Sequence, residues 1–303
     1  MSYTFHTLLA HPSNYGWKRK STDIRYLVLH YTANKTDRAV NNAKYFQNNI
    51  VYASAHYFCD QSSVYQSVPD TSIAWSVGGK KYSDCATTGG GTCYGVVTNE
   101  NSISIELCSH QGAIAAETIE NALALAKRLM SKYHIKESHI YRHFDVTGKH
   151  CPGWKGWYGA EDRLWKSFQK NLRDCRLTTK LVCAFYKHDN IADGKFQSFP
   201  VGTFVYWGSD LGNGWSSVYY EGTLGYVKNS CLTKKGLSPY RTGKATEDVM
   251  FRSDRLVDPS TNIKTIKKGT TFRVICQIGN WYQVRLSDGA NGYMVKKKVK
   301  LGS

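Results

Sequence analysis

Two apolar runs in the first half of the chain each end on a histidine, and the second run leads directly into a loop that carries a cysteine. Both runs have the composition of buried strands, and they end at His30 and His143. The loop reaches Cys151 immediately before a Pro-Gly turn signal. Because functional groups collect at the carboxyl ends of strands in open α/β sheets, we expect these three side chains to meet at one edge of a sheet.

Imidazole and thiolate groups are common zinc ligands in proteins. Three such ligands leave one tetrahedral position open, which is the arrangement of a catalytic zinc site and not of a structural one. The sequence therefore predicts one catalytic Zn²⁺ held by His30, His143 and Cys151. Two alternatives stay open, because each histidine could be an ordinary one and Cys151 could be a nucleophile with His143 as its base.

The first half of the chain alternates strand and helix patterns, which predicts an α/β domain. Residues 103–107 alternate apolar and polar side chains, so that Glu106 points either to solvent or into a polar cleft. Residues 78–95 are rich in Gly and Thr without a period, which predicts a long surface loop. The other predicted elements are a hairpin at 57–66 and amphipathic helices at 37–46, 117–133 and 161–172.

Six short motifs follow one another along this half of the chain. They are His30-Tyr31-Thr32-Ala33, Ala55-His56-Tyr57-Phe58, Gln66-Ser67-Val68-Pro69-Asp70, Ala74-Trp75, Asn101-Ser102-Ile103-Ser104-Ile105-Glu106 and the loop from His143 to Cys151. In these motifs and their order, residues 23–172 resemble zinc-dependent N-acetylmuramoyl-L-alanine amidases, of the type related to peptidoglycan recognition proteins. The resemblance implies a catalytic domain over residues 1–174, with a mixed β-sheet flanked by helices. Its substrate would be the amide bond between N-acetylmuramic acid and the L-alanine of the peptidoglycan stem peptide.

The resemblance also implies roles for four further residues. Glu106 would take a proton from the attacking water and pass it to the leaving amine. Lys149 would assist at the oxyanion of the tetrahedral intermediate. Trp75 and Asn101 are candidates for the lining of the substrate groove, with ordinary packing as an equal alternative.

The chain departs from the family pattern at two positions. Ala55 stands where one branch of the family carries a tyrosine, so no catalytic tyrosine is assigned. Ser76 stands where many relatives carry a histidine. A non-catalytic recognition protein of the same fold is the alternative function, and the complete set of zinc ligands argues against it. The remaining histidines of this half, His56, His110, His139 and His150, are interpreted as core or surface residues.

Beyond residue 175 the chain becomes rich in β-branched and aromatic residues and repeats itself at an offset of 66 or 67 residues. Phe185 matches Phe251, and Trp215 matches Trp281; the Gly-Thr turn at 202–203 and the Gly-Tyr pair at 225–226 also recur, at 269–270 and 292–293. A repeat of this length predicts two copies of one small all-β module, at 178–235 and 246–303, with a linker at 236–248. Each copy resembles a bacterial SH3 domain, which implies binding to a wall polymer, stem peptide or cross-bridge.

The net charge is +17 and lies mainly in the second half. Residues 1–174 carry 20 basic and 14 acidic side chains, and the remainder carries 20 and 9. Such a surface favours an anionic partner. Peptidoglycan of a Gram-positive-type wall is the expected partner. Nucleic acid is not expected, because no basic stripe is interleaved with the aromatics of a known nucleic-acid-binding module.

The start of the chain lacks the basic and apolar regions of a secretory signal, and no apolar run has the length of a membrane span. We therefore expect synthesis in the cytoplasm and action at the wall after release, as for a phage endolysin. The nine cysteines include no CxxC pair, so a disulfide framework is not expected. Cys85 and Cys93 flank a Gly-rich loop and are a candidate pair in an oxidising medium.

Overall fold

The computed structural model describes residues 3–211, 215–234, 241–253, 257, 259–278, 281–288 and 290–301. The chain divides into two compact units, the first made of residues 1–175 with 219–224 and the second of residues 176–218 with 225–303. The helices of the first unit are α1 (Ala39–Asn48), α2 (Cys85–Thr88), α3 (Ala116–Tyr133), α4 (His143–Thr147) and α5 (Arg163–Arg173). Its strands are β1 (Thr4–Thr7), β2 (Tyr15–Lys18), β3 (Tyr26–Tyr31), β4 (Tyr57–Cys59), β5 (Ser63–Gln66), β6 (Ser72–Ala74), β7 (Ser102–Leu107) and β8 (Ile140–Arg142).

One mixed sheet organises the first unit, with the strand order β1-β5-β4-β7-β3-β8. Strands β4 and β5 are antiparallel, and the other four neighbouring pairs are parallel. Strands β2 and β6 form a separate two-stranded sheet. The predicted α/β architecture is confirmed, and the predicted hairpin at 57–66 is the β4–β5 pair.

Helices pack against this sheet at different strands. Helix α1 contacts β4 and β5, α3 contacts β4 and β7, and α4 contacts β3 and β8, while α5 packs against α3. The side chains of Ile103 and Ile105 on β7 are fully buried, and alternation along the strand turns Glu106 to the opposite face. Helices α1, α3 and α5 confirm the three amphipathic patterns read from the sequence.

Three local expectations need correction. Strand β3 runs one residue beyond His30, and β8 ends at Arg142, so that His143 begins α4 and does not end a strand. The Asp145 carboxylate explains the second difference, because it accepts a hydrogen bond from the Arg142 backbone N–H and caps the new helix. The segment 78–95 is not wholly irregular, because it contains the short helix α2.

The second unit consists of two seven-stranded sheets. The first contains β9 (Arg176–Thr179), β10 (Cys183–Tyr186), β11 (Lys195–Phe199), β12 (Phe204–Asp210), β13 (Trp215–Tyr220), β14 (Thr223–Lys228) and β15 (Leu232–Lys234). The second contains β16 (Arg241–Ala245), β17 (Val249–Arg252), β18 (Asn262–Ile266), β19 (Thr271–Ile278), β20 (Trp281–Arg285), β21 (Asn291–Val295) and β22 (Val299–Leu301). Their strand orders, β11-β10-β14-β13-β12-β9-β15 and β18-β17-β21-β20-β19-β16-β22, are the same order shifted by seven strands.

A matched glycine and phenylalanine pack together in each sheet. A Cβ atom added to Gly225 would lie 2.3 Å from the Phe185 ring, and one added to Gly292 would lie 2.6 Å from the Phe251 ring. Both phenylalanines are fully buried. Because no larger residue fits against either ring, the glycine is required wherever the phenylalanine fills the core.

The ends of the two sheets differ from the predicted module limits. Strand β16 lies within the segment predicted as a linker, because its backbone pairs with both β19 and β22. Val205 is buried and pairs with Leu177, so that it takes the place that Phe272 has in the second sheet, while Phe204 is 40% exposed. Residues 235–240 of the predicted linker lie outside the described residues.

Within the described ranges, no helix is both long and apolar enough to cross a membrane.

The buried carboxylate of Asp70 connects the loop after β5 to the end of α3 by hydrogen bonds. Its oxygens accept hydrogen bonds from Lys132 Nζ at 2.8 Å, from the Tyr133 hydroxyl at 2.6 Å and from the Tyr57 hydroxyl. Burial by itself would raise the pKa of Asp70, but these three donors outweigh it and lower the pKa below the usual value. The network therefore holds a charged carboxylate inside the first unit.

We expect Asp70→Asn to lower the free energy of unfolding of the first unit by about 3 kcal/mol, because the buried Tyr57 hydroxyl, the half-buried Tyr133 hydroxyl and the Lys132 ammonium group lose a charged acceptor. Hydrogen exchange of the α3 amides measures this unit separately. Since the folded pKa lies below the unfolded value of about 3.9, the stabilisation is present above pH ~4 and is lost as the pH falls through the folded pKa. Lys166→Ala, at an exposed i,i+4 pair with Asp162, serves as the control and should change stability by less than about 0.5 kcal/mol. An equal loss in both variants would contradict the network.

Candidate metal centre

The register of three parallel strands places Glu106, His30 and His143 side by side. His30 on β3 lies directly opposite Glu106 on β7. Leu29 lies opposite Arg142 on β8, so that the next residue, His143, follows the strand at the level of His30. Neighbouring strands are about 4.8 Å apart, and all three residues lie at the carboxyl edge of the sheet. The strand pairing alone therefore forms a row of one carboxylate and two imidazoles.

Cys151 completes a buried cluster with the two histidines. Its sulfur lies 3.8 Å from His30 Nδ1, and the His30 and His143 rings are 4.6 Å apart between centroids. One ligand atom from each of the three residues lies within 4.8 Å of the others. The exposed fractions are 2% for His30, 5% for His143 and 2% for Cys151. The structure thus brings together the three predicted zinc ligands.

Backbone contacts hold Cys151 at this position. The Phe144 N–H donates to the Cys151 carbonyl at 2.8 Å, which folds the loop back onto the start of α4. The backbone N–H of Tyr31 donates to the Cys151 sulfur. Gly153 allows the close approach, because a Cβ atom there would lie 2.1 Å from the Tyr31 ring. The thiol is fixed by main-chain groups on both sides of the cluster.

Arg142 fixes the start of α4, and so the position of His143. Its guanidinium donates to both oxygens of Asp145, at 3.0 and 2.6 Å, and to the Trp157 carbonyl at 2.6 Å. The side chain is 7% exposed. A bidentate Arg–carboxylate pair has a defined geometry, so it holds the segment around Trp157 against the metal-ligand loop. The sequence reading assigned no role to this arginine.

The charge states of the cluster suit a metal. Burial lowers the pKa of His30 well below its usual value and that of His143 to about 4, and Lys149 adds to both effects. Both imidazoles are therefore neutral near pH 7, with lone pairs available. His30 Nε2 and His143 Nδ1 are buried and have no hydrogen-bond partner among the described residues. Two unpartnered imidazole nitrogens beside one sulfur form a donor set that fits Zn²⁺.

The electrostatics of Cys151 disfavour the alternative of a cysteine nucleophile. Burial raises the pKa of the thiol far above its usual value, and Glu106 raises it further. Nucleophilic cysteines have a lowered pKa and an electropositive, partly exposed environment. Cys151 has neither, and its sulfur lies against His30 at 3.8 Å. The arrangement favours a metal ligand.

Glu106 is half-buried beside the three ligands. Burial raises its pKa to about 7, and Lys149 partly opposes that shift. The Oε2 atom is buried and has no hydrogen-bond partner among the residues described. Lys149 is exposed, and its backbone N–H donates to Thr147 Oγ1 at 3.3 Å. A carboxylate with a free oxygen and a pKa near neutrality has the properties of a general base.

Asn101 lies away from this cluster. It precedes β7 at its amino end, about 16 Å along the strand from Glu106 at the usual rise per residue. Its side-chain amide donates to the Val96 carbonyl, and its amide oxygen accepts from the Thr98 N–H, each at 2.9 Å. These contacts support the packing alternative for Asn101, in which its side chain stabilises the turn before β7.

Trp75 follows β6, the strand that pairs with β2. Its backbone N–H donates to Ser54 Oγ, and its indole nitrogen lies 3.2 Å from where a Cβ of Gly16 would be. His56, the neighbour of Ala55, is buried and bonded through its ring to Ser104 and to the Ser72 carbonyl. The position of Trp75 is compatible with the packing alternative, and its role in substrate binding stays a prediction.

A cavity of about 580 Å³ lies beside the cluster and was not expected from the sequence. It is lined by Tyr31, His150, Gly153, Trp154, Lys155, Gly156, Tyr158 and Glu161. Its volume is in the range of small-molecule sites. The signal in the sequence was the run of glycines and aromatics after Cys151, whose function a single sequence does not reveal. The cavity offers a space next to the three candidate ligands, while substrate contact by Asn101 stays a prediction.

A comparison with known families agrees with this geometry. Residues 20–154 match the family model described as N-acetylmuramoyl-L-alanine amidase, and this range includes His30, Glu106, His143, Lys149 and Cys151. Residues 20–154 of the first unit are therefore similar to this family. The similarity concerns the first unit only, since the matched range ends well before the two all-β sheets.

Curated relatives show the same likeness. The N-acetylmuramoyl-L-alanine amidase CwlL of Bacillus licheniformis is 32% identical over 173 residues, which are 54% of this chain and 44% of the relative. The N-acetylmuramoyl-L-alanine amidase BlyA of Bacillus subtilis (strain 168) is 34% identical over 140 residues, which are 44% of this chain and 37% of the relative. The chain thus spans less than half the length of these relatives.

Solved structures resemble the chain over a similar share. The catalytic domain of XlyA matches with a TM-score of 0.43 at 25% identity, over 55% of this chain and 97% of that domain. The structure of PlyL matches with a TM-score of 0.43 at 26% identity, over 55% of this chain and 96% of the PlyL chain.

We expect the full chain to bind one Zn²⁺ and the variant Cys151→Ser to bind it more than about 100-fold more weakly, because loss of a ligand exceeds the effect of outer contacts. Competition with a chromophoric zinc chelator measures the affinity. Cys93→Ser and His150→Ala, which leave the three ligands intact, are the controls. Equal weakening in a control and in Cys151→Ser would refute the assignment.

Zinc binding at pH 7 should also release about one proton from the Cys151 thiol, which must ionise while both histidines are already neutral. Glu106, whose pKa is about 7, adds a fraction of a proton. Calorimetry in two buffers with different ionisation enthalpies gives the number of protons. In Glu106→Gln, where this fraction is absent, release of more than about two protons would show that the free chain holds charged histidines.

Proposed function

We propose that this protein is a zinc-dependent N-acetylmuramoyl-L-alanine amidase that releases stem peptides from peptidoglycan. The observation that carries the proposal is the buried triad of His30, His143 and Cys151 with Glu106 in the same row of the sheet. The family match over residues 20–154 and the amidase names of the relatives support it.

The chemical problem is a resonance-stabilised amide with a poor leaving amine. When bound, Zn²⁺ lowers the pKa of a water and polarises a carbonyl. In the proposal, Glu106 takes the proton from the attacking water at its unpartnered Oε2 and delivers it to the amine nitrogen of L-alanine. Lys149 places a positive charge near the oxygen that becomes negative in the tetrahedral intermediate.

In the proposal, the residues around the triad hold the metal ligands in position and take no part in the reaction itself. The bond from Phe144 to the Cys151 carbonyl and the clamp of Arg142 on Asp145 fix two of the three ligands before a substrate arrives. A site fixed in this way loses little conformational freedom on binding. Tyr31 and Trp154 in the neighbouring cavity are placed to contact the glycopeptide.

The second unit would hold the enzyme on its substrate. We infer that the two all-β sheets are wall-binding modules of the bacterial SH3 type, which extend over β9–β15 and β16–β22 and so begin before the predicted limits of 178–235 and 246–303. Their excess of basic residues suits an anionic wall surface of the Gram-positive type. In this proposal the protein is made in the cytoplasm and acts at the wall after release, as an endolysin does.

Digestion of purified Gram-positive peptidoglycan tests the function. We expect new amino-terminal alanine without new reducing sugars, and loss of that release on zinc chelation with recovery on adding zinc back. Reducing sugars would mean a glycosidase. Wall binding without any release would leave a recognition protein with an amidase fold.

Glu106→Gln separates the chemistry from metal binding. We expect it to lower kcat by about 10²–10⁴-fold, because the amide side chain cannot take a proton, while one Zn²⁺ stays bound. Release of amino-terminal alanine and zinc content are measured on the same sample. Glu100→Gln, an exposed glutamate before the amino end of β7, is the matched control and should keep full activity. Loss of zinc in Glu106→Gln would make the glutamate a structural residue.

A further inference from the structure

Two cysteines of the second unit, neither of them a candidate metal ligand, lie close to each other. Cys183 begins β10, and Cys231 precedes β15. Strands β9 and β15 pair so that Thr179 lies opposite Leu232, and the Lys180 N–H donates to the Cys231 carbonyl at 2.7 Å. Cys183 follows Lys180 by three residues, so this strand pairing brings it near Cys231, which is 48 positions away in the sequence. The two thiols are close enough for each to change the pKa of the other.

The surroundings of Cys231 stabilise a thiolate. The hydrogen bond from Cys183 lowers the pKa of Cys231 to about 6, against the effect of burial, and the Ser230 hydroxyl, Lys228 and Lys180 lower it further. The same contact raises the pKa of Cys183. Reactive cysteines are recognised by this combination of a nearby cation, a donor to the sulfur and partial exposure.

The other cysteines with described side chains are in different environments. Burial raises the pKa of Cys59, Cys108, Cys151 and Cys175 and largely shields these four from solvent. Burial also raises the pKa of the half-buried Cys93. In the candidate pair read from the sequence, Cys85 contacts the Thr147 carbonyl and Cys93 contacts Thr92, and closure of that pair in an oxidising medium stays a prediction. Cys183 and Cys231 are both half-exposed, and each changes the pKa of the other.

We propose that Cys183 and Cys231 are a redox-active dithiol that closes to a disulfide in the oxidising medium outside the cell. The Cys231 thiolate attacks one sulfur of a low-molecular-weight disulfide, whose S–S bond breaks and releases one thiolate. The Cys183 thiol then loses its proton to solvent and attacks the Cys231 sulfur, which releases the second small thiolate. The two protein thiols are oxidised by two electrons, and the small disulfide is reduced to two thiols.

The bond would act on the stability of the first all-β sheet. It would close the segment from β10 to the start of β15, which contains β11, β12, β13 and β14. A cross-link over such a segment restricts the unfolded chain more than the folded one. In a reducing cytosol the two thiols stay reduced, so the disulfide forms only after release. The chemistry of the two thiols does not depend on the amidase proposal, whereas the time at which the disulfide closes rests on the release from the cytoplasm that the proposed function includes.

Oxidised glutathione at pH 7 is the probe, applied to the full chain. We expect two of the nine thiols to be lost, one peptide cross-link joining Cys183 to Cys231, and reversal by a reductant. Thiol counting and mass mapping without reduction measure both. Cys93→Ser should form the same cross-link at the same rate. A thermal scan of the oxidised chain should show a higher Tm for the second unit than the reduced chain.

Single variants separate the attacking sulfur from the resolving one. Cys183→Ser should stop at one glutathione adduct on Cys231, because serine keeps a hydrogen-bond donor but cannot resolve the mixed disulfide. Cys231→Ser should form an adduct on Cys183 at least about tenfold more slowly, since that thiol lacks the lysines and the lowered pKa. The proposal is overturned if the wild-type chain gives no Cys183–Cys231 cross-link, or if other pairs cross-link first. Equal adduct rates in the two variants would refute the assigned order of attack.

Discussion

The parallel register of β7, β3 and β8 is the constraint on which the candidate site depends. It forces Glu106, His30 and His143 into one row at the carboxyl edge of the sheet, next to α4, which packs against β3 and β8. Burying polar atoms without partners costs about 1–3 kcal/mol each. The fold leaves His30 Nε2, His143 Nδ1 and Glu106 Oε2 in that condition together. Three such unpartnered atoms in one place are expected when they face a ligand. A divalent metal with its bound water would give all three atoms an interaction partner.

The rest of the first unit restricts the motion of the residues around that row. Cys151 comes from a loop, which by itself would be a poor support for a metal ligand. Main-chain bonds to Phe144 and Tyr31 fix the loop, and the Arg142–Asp145 pair fixes the helix start next to it. The Asp70 network works at the other side of the sheet, where it joins α3 to the strands. The interactions of this unit therefore fix the positions of the candidate site residues as well as stabilising the fold.

The sequence predicted that His30 and His143 lie together because strand composition and residue type coincide at both positions, and the cluster with Cys151 bears this out. It could not predict that β8 ends one residue earlier, because a capping contact from Asp145 decides that point. It also left packing and substrate binding open for Asn101, and the hydrogen bonds of its side chain in the turn before β7 support the packing alternative. In the second unit the repeat predicted the shared strand order. The polar strand β16 was missed because its pairing with β19 and β22, and not its composition, makes it a strand.

The two halves use the same residue type in opposite ways, and the surroundings decide which. Around Cys151, burial and the Glu106 carboxylate keep the sulfur protonated until a metal displaces the proton. Around Cys231, two lysines and the Cys183 thiol favour the thiolate without any metal. The first environment protects a ligand from oxidation because a buried thiol reacts slowly with a disulfide. The second exposes a nucleophile beside its partner. Oxidation of the chain would then join Cys183 to Cys231 in the second unit, while the buried Cys151 thiol of the first unit stays reduced.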